Sequence, residues 1–193
     1  MSAPTINIRG LAFLVADANP YFSRIVVSLL RSFGATTVTE VRNSFEAVQL
    51  LNSQKIDILL CDDRLPPHGG LQVAYAIRRK RDNENRTIPI LITAGDARES
   101  LIKLARDAGA NMVMAKPVSA TGLYDRLAWI AFNMRQFVET PTYYGPDRRF
   151  KNEGYRGGAG RRKTDNQPAA ETSTTAQPQN GAGTTHSDPV LIG

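Results

Sequence analysis

The sequence predicts an α/β fold, in which five parallel strands form one doubly wound sheet with helices on both faces. Short apolar runs alternate five times with helical patterns over residues 1–136, which is typical of strand–helix–strand units. Several runs show almost no polar alternation, as parallel strands that are covered on both faces do. Residues 166–193 are polar, small and nearly uncharged, so we predict a disordered C-terminal tail after the sheet.

Each predicted strand is a short apolar or β-branched run. The runs cover residues 11–16, 36–41, 56–61, 88–93 and 111–115. Parallel strands need long crossover connections, and the intervening segments are long enough to be helices. We therefore expect helices to wrap both faces of the sheet.

Capping signals predict where the helices lie. The predicted helices cover residues 19–34, 44–52, 70–81, 96–109 and 119–136. Asn19 before Pro20 predicts the start of the first helix, Ser44 that of the second, and Asp96 with Glu99 forms a capping box for the fourth. The third helix ends in the basic run 78–81, which could be an anion-binding patch or a solvated helix end whose cations complement the helix dipole, and we favour the second interpretation.

Polar side chains follow four of the predicted strands. Asp17 comes after the first strand, Asp62 and Asp63 after the third, Thr93 after the fourth and Lys116 after the fifth. The carboxyl ends of parallel strands meet at one edge of the sheet, where such folds bind ligands. A carboxylate, a hydroxyl and a lysine together suit phosphoryl transfer to an aspartate, because the carboxylate accepts the group and the lysine neutralises its oxygens.

From Leu11 to about Ile130 the chain resembles the receiver domains of response regulators. The matching segments are FLVAD, CDDRLPPHGG, LITA, DAGA and MAKP. The resemblance implies a flavodoxin-like receiver fold with Asp62 as the phosphoacceptor, and Thr93 and Lys116 as the residues that contact the phosphoryl group. It also implies a cis peptide bond before Pro117 and a signalling protein rather than an enzyme.

The chain departs from this family at the implied metal site. Two adjacent acids usually follow the first strand of the family, but here the two positions hold Asp17 and Ala18. The resemblance leaves Asp17, Asp62 and the backbone carbonyl of Arg64 as ligands, so we expect Mg²⁺ binding to be weak or absent. The side chain of Asp63 should point away from the pocket, because neighbouring residues of an extended chain alternate. Two interpretations stay open: inefficient phosphorylation by a histidine kinase, or a docking platform that another input controls.

An arginine-rich extension, residues 137–165, follows the predicted sheet. Seven basic residues lie between Arg148 and Lys163, and the segments YYGPDRRF and RRKTD each pair two arginines with an aspartate. Arginine can bind the O6/N7 edge of guanine, an aspartate can accept from its N–H donors, and aromatic rings can stack on it. The predicted ligand contacts are Tyr143, Tyr144, Asp147, Arg148, Arg149, Phe150, Arg156, Arg161, Arg162 and Asp165.

As a whole, the chain resembles the Cle subfamily of CheY-like regulators. This resemblance implies that the extension binds cyclic di-GMP, as one molecule or an intercalated pair, and that the protein docks on the flagellar motor switch to control motility and surface attachment. We expect a cytoplasmic monomer at the flagellated pole, with no DNA partner and no membrane insertion. The alternative is a phosphorylation-driven receiver whose basic tail binds RNA or another polyanion.

Overall fold

The computed structural model describes residues 5–148 of the 193-residue chain, and its central feature is a five-stranded parallel sheet. The strands are β1 (Ala12–Ala16), β2 (Thr37–Val41), β3 (Ile58–Asp62), β4 (Ile90–Ala94) and β5 (Met112–Ala115). Their order is β2-β1-β3-β4-β5, the order of flavodoxin-like folds. The predicted fold class is confirmed, and the tail beyond residue 148 lies outside the described residues.

Five helices cover the two faces of this sheet. They are α1 (Pro20–Ser32), α2 (Ser44–Ser53), α3 (Gly70–Arg79), α4 (Glu99–Asp107) and α5 (Ala120–Phe132), with a short 3-10 helix at Glu84–Thr87. Strand side chains alternate between two buried clusters, so that Leu14 packs with α2, α3 and α4, while Phe13 packs with α1 and α5. Trp129 packs against the second cluster, and Cys61 is buried in the first. No helix within residues 5–148 combines the length and the apolar character needed to cross a bilayer.

Three predicted helix ends are wrong in detail. Asn43 rather than Ser44 caps α2, because its side chain accepts from the N–H of Glu46. The predicted capping box of α4 does not form: Asp96 forms an ion pair with Arg98 at 2.6 Å, and Arg98 is the N-cap without a side-chain bond. Helix α5 ends at Phe132 instead of near Gln136, since Asn133 donates from both its backbone and its side chain to the carbonyl of Trp129.

The basic run at the end of α3 is not solvated as a whole. Arg78 is 1% exposed and donates hydrogen bonds to the carbonyls of Gly109, Arg86 and Ile88 and to the side-chain oxygen of Asn111. Burial lowers the pKa of Arg78 to about 9, so the side chain stays charged at neutral pH. The prediction failed because a solvated and a buried arginine at a helix end look alike in sequence.

A two-stranded antiparallel hairpin follows α5. Its strands, β6 (Phe137–Glu139) and β7 (Tyr144–Pro146), pair Val138 with Gly145. The hairpin belongs to the same compact unit as the sheet. The sequence analysis did not predict this hairpin, and its division of the extension at residues 137 and 166 stays a prediction.

The hairpin contacts the end of the sheet opposite to the strand ends that carry Asp62. It packs against the C-terminal end of α3, the 3-10 helix and the turn before β5, through Arg78, Arg86 and Gly109. Helices in such units run antiparallel to the strands, so the ends of α3 and α4 lie beside the first residues of β4 and β5. The strand ends that carry Asp62 and the hairpin are therefore two separate regions of the molecule.

Candidate functional site

Strand register brings the predicted phosphoryl-transfer residues together. Asp62 is the last residue of β3 and lies opposite Thr93 of β4. Asp17 follows Ala16, which pairs with the neighbour of Asp62 in β3, Cys61. These three polar side chains are almost fully buried and lie at the same, carboxyl end of the sheet. Together with Lys116 we call them the acid pocket.

Lys116 joins the two acids of this pocket. Its Nζ atom lies 2.6 Å from Oδ2 of Asp17 and 2.6 Å from Oδ1 of Asp62. The peptide bond between Lys116 and Pro117 is cis, which confirms that prediction. The backbone N–H of Lys116 donates to the carbonyl of Ala94, so the last residue of β4 fixes the lysine beside the acids.

Burial and pairing shift the ionisation of this group in a consistent way. Burial raises the pKa of the Asp62 carboxyl, and the hydrogen bond from Lys116 offsets this only in part. Burial alone would lower the pKa of Lys116, but the hydrogen bonds to Asp17 and Asp62 outweigh it and hold that pKa above its ordinary value. The lysine is therefore a firmly charged group that points at Asp62, the predicted phosphoacceptor.

The donor set of the pocket fits a resident Mg²⁺ poorly. Mg²⁺ needs near-octahedral oxygen ligands, and Ala18, an exposed apolar residue, stands where a second acid would be. Both carboxylates that remain accept from the same ammonium group. Within residues 5–148, no group of three or more His, Cys, Asp or Glu side chains is placed to hold a metal ion.

The loop after β3 packs closely around Asp62. Asp63 donates its N–H to the carbonyl of Thr93, and its carboxylate faces Arg64, whose side chain is 82% exposed. A Cβ atom at Gly70 would collide with the carbonyl of Asp62 and lie 2.8 Å from Sγ of Cys61. Glycine at this position therefore lets α3 begin directly beneath Asp62.

Two residues of this site were not predicted as part of it. The N–H of Asn19 donates to Oδ1 of Asp17, so the residue that caps α1 also orients an acid. The ring of Phe22 lies 4.2 Å from Nζ of Lys116, close enough for a cation–π contact. The Asn-Pro capping signal marked the helix start, but no local pattern announces that the next turn contacts a lysine about ninety residues later.

The predicted ligand residues of the extension lie partly within the described chain. The ring of Tyr144 has the guanidinium of Arg86 3.4 Å away and contacts Phe137. The guanidinium of Arg148 lies 3.7 Å from the centre of the Tyr143 ring, and Arg148 also forms an ion pair with Asp107 at 3.2 Å. The backbone N–H of Asp147 donates to the carbonyl of Gln136. The predicted contacts Arg149, Phe150, Arg156, Arg161, Arg162 and Asp165 lie outside the described residues.

The chain is similar in sequence to known chemotaxis and sensory/regulatory proteins. The chain is 28% identical over 117 residues to a chemotaxis protein CheY of Pseudomonas aeruginosa, covering 61% of this chain and 93% of that protein. It is 26% identical to the sensory/regulatory protein RpfC of Xanthomonas campestris, but it spans only 19% of that protein's length.

Solved structures show the same likeness. One is the receiver domain of a Pseudomonas aeruginosa sensor histidine kinase with a magnesium ion coordinated in its active-site cleft (30% identity, TM-score 0.57, 63% of this chain and 98% of that one). Another is a Burkholderia pseudomallei response regulator with a phosphorylated aspartic acid and a calcium ion (25% identity, TM-score 0.55, 63% and 69%).

The family model of the response regulator receiver domain matches residues 13–128, more than half of the chain. Its match ends before the hairpin begins. With the acid pocket, the sheet order and the cis bond before Pro117 all in agreement, this chain belongs to the response regulator receiver family.

Proposed function

We propose that this chain is a CheY-like receiver that senses cyclic di-GMP through its arginine-rich extension and then docks on the flagellar motor switch. Signalling would control motility and surface attachment. In this proposal the protein acts in the cytoplasm, at the flagellated pole, as a monomer, and the receiver is the surface that the extension controls.

The observation that carries the proposal is the position of the first arginine–aromatic pair of the extension. The guanidinium of Arg148 stands 3.7 Å from the ring of Tyr143 and pairs with Asp107 of α4. A guanidinium, an aromatic ring and a carboxylate are the groups that recognise the edge and the face of guanine. The side chain of Arg148 is 36% exposed, so a purine could reach it from solvent.

The acid pocket supports an input outside phosphorylation. Lys116 engages both remaining carboxylates, and Ala18 contributes no ligand. A phosphoryl group arriving at Asp62 brings negative charge that Mg²⁺ usually neutralises in such reactions. With a poor metal site, this step should be slow, which leaves room for a second input.

Helix α4 supports an output next to the extension. Ile102 and Leu104 are 48% and 58% exposed, and Asp107 at the end of the same helix pairs with Arg148. Exposed apolar side chains on one helix suit a protein partner. A ligand that reorganises Arg148 would therefore act on the helix that carries this surface.

A calorimetric titration tests the proposal. The full chain should bind cyclic di-GMP tightly, and Arg149→Ala or Arg162→Ala should abolish binding, whereas Arg24→Ala on the exposed face of α1 should not. Unchanged binding in both extension variants would refute the site. Equal affinity for single-stranded RNA at physiological salt would instead favour a general polyanion site.

A phosphorylation-driven switch is the second candidate, favoured by the intact arrangement of Asp62, Thr93 and Lys116. In that case Asp62→Asn would abolish motility signalling in cells, and removal of residues 149–193 would leave it intact. The cyclic di-GMP proposal expects the reverse. The two candidates are therefore separated by one pair of variants in a swimming assay.

A further inference from the structure

A small polar cavity lies between the hairpin and the basic end of α3. Its volume is about 170 Å³, and Arg79, Arg81 and Arg86 line it together with Glu139 and Thr140. Arg79 and Arg81 belong to the basic run that the sequence analysis interpreted as a solvated helix end, and Arg86 was assigned no role there. The cavity is at the end of the sheet opposite to Asp62, so it is separate from the acid pocket.

Hydrogen bonds hold all three guanidinium groups at this cavity. Nη2 of Arg81 lies 2.9 Å from Oε1 of Glu139, and Nη2 of Arg86 lies 3.1 Å from the same oxygen. Nη2 of Arg79 donates to the carbonyl of Thr142 at 3.1 Å. The hairpin thus gathers three cations from α3 and the segment after it.

The charges in the cavity are unbalanced. Three guanidinium groups meet one carboxylate, Glu139, which leaves an excess of two positive charges. Bonds from Arg86 and Arg81 hold the pKa of Glu139 below its usual value, so the carboxylate is ionised at neutral pH. Arginine forks match phosphate oxygens in geometry as well as in charge.

The arginines of the cavity differ in solvent exposure. The side chain of Arg81 is 81% exposed, whereas that of Arg86 is 14% exposed and lies against the ring of Tyr144. Arg86 also donates through Nε to the carbonyl of Arg78. Arg86 is therefore enclosed by the protein, while most of the Arg81 side chain is open to an incoming anion and Glu139 is its bonded partner.

We propose that this cavity receives a phosphate group of the dinucleotide, with Arg79 and Arg81 as its ligands and Glu139 as the internal carboxylate that it displaces. The inference rests on the proposed function and extends its site from the extension to the receiver's own helix. Tyr143 lines the same cavity and carries Arg148 over its ring. A phosphate bound here would leave its attached guanine beside the predicted base-binding pair.

The site also explains how a ligand would affect the receiver. A phosphate that bridges Arg79 and Arg81 would add contacts between the hairpin loop and α3. Glu139, once released, would no longer compensate Arg86. Ligand binding would then replace the ion pair between Arg81 and Glu139 by an ion pair between Arg81 and the phosphate. The change would occur at the junction of the hairpin and the receiver.

Calorimetry with cyclic di-GMP on the full chain tests this inference. The double variant Arg79→Ala/Arg81→Ala should bind at least about tenfold more weakly, since two charge-assisted contacts are lost. The control Arg24→Ala/Arg31→Ala removes the same charge from exposed positions of α1 and should bind nearly as the unaltered chain does. Glu139→Gln should bind about threefold more tightly, because the competing carboxylate is gone.

Each result decides a different point. Equal binding in the α3 double variant, or an equal loss in the α1 control, would overturn the cavity as a phosphate site while the proposed function stands. Unchanged or weaker binding by Glu139→Gln would overturn the displacement. No binding by the unaltered chain would overturn the proposed function, and this inference with it. Should the double variant fail to fold, Arg81→Ala alone alters only a solvent-exposed side chain and decides in its place.

Discussion

The two ends of the sheet are each organised around one cation, and the cations have opposite surroundings. At the carboxyl end, Lys116 contacts the carboxylates of Asp17 and Asp62. At the other end, the four hydrogen bonds of Arg78 end on neutral oxygens of the backbone and of Asn111. Their pKa values move in opposite directions, upward for Lys116 and down to about 9 for Arg78.

The difference shows why Lys116 is suited to take part in chemistry, whereas Arg78 is suited to a structural role. A lysine that shares two acids can exchange one of them for a phosphoryl oxygen, because the charge stays compensated. A buried arginine whose partners are carbonyls has no such exchange to make. It instead satisfies acceptors that burial would leave without hydrogen bonds, and it ties α3 to the strand ends on which the hairpin rests.

Replacing Arg78 should have the largest effect on stability. Arg78→Met would leave the carbonyls of Gly109, Arg86 and Ile88 without this donor in a buried place, so we expect a loss of about 3 kcal/mol in the free energy of unfolding. Urea denaturation followed by circular dichroism measures it. The neighbouring Arg79→Ala, at an exposed position, should cost less than about 1 kcal/mol. Equal losses in both variants would contradict the structural role of Arg78.

A smaller, local effect is expected where the hairpin meets the receiver. Gly145 and Gly109 pack closely: a Cβ atom at Gly145 would collide with the ring of Tyr143 and lie 2.9 Å from Cα of Gly109, and one at Gly109 would lie 2.8 Å from the carbonyl oxygen of Tyr144. Gly145→Ala should therefore weaken hairpin docking by about 1–3 kcal/mol, as overpacking does.

Hydrogen exchange of residues 137–148 would show this loss, since local opening sets the protection of those amides. Gly10→Ala is the matched control, because a Cβ atom there has no other atom within 4 Å. The amides of β3 and β4 should keep their protection in both variants. Faster exchange throughout the sheet would mean that the hairpin is part of the core and not a separable joint.

The acid pocket could be predicted from sequence because its chemistry demands particular residue types at strand ends. Asp62, Thr93 and Lys116 are the groups that phosphoryl transfer needs, and strand register brings them together as expected. The packing of the hairpin against the receiver does not require particular chemical groups in the same way. Its contacts use Gly109, Gly145 and an arginine from a basic run. Their roles depend on contacts between residues that are far apart in sequence, and no local pattern reveals these contacts.

The same reasoning explains the errors at helix ends. Capping patterns are local, and Asp96 had an arginine two residues away that competed for its carboxylate. At α5, the side chain of Asn133 ended the helix early, which freed the following residues to form β6. Local competition among polar groups decided both cases, and a periodic apolar pattern does not report it.

The smallest expected effect concerns the acid that is missing after β1 at the carboxyl end of the sheet. Ala18→Asp would add a third carboxylate beside Asp17 and Asp62, and Mg²⁺ prefers such oxygen ligands. We expect labelling of Asp62 by a small phosphodonor, followed by intact-protein mass, to become at least about tenfold faster in the presence of Mg²⁺, which corresponds to about 1.4 kcal/mol.

The matched control is Ala18→Asn, which has nearly the same shape without the charge. A gain in the aspartate variant alone would show that the metal site is one carboxylate short, and that Lys116 yields one of its acids when a stronger cation arrives. An equal rate in all three proteins would mean that Lys116 already neutralises the incoming group. In that case the absence of the acid would be no barrier to phosphorylation, and the case for an input through the extension would depend on its arginines alone.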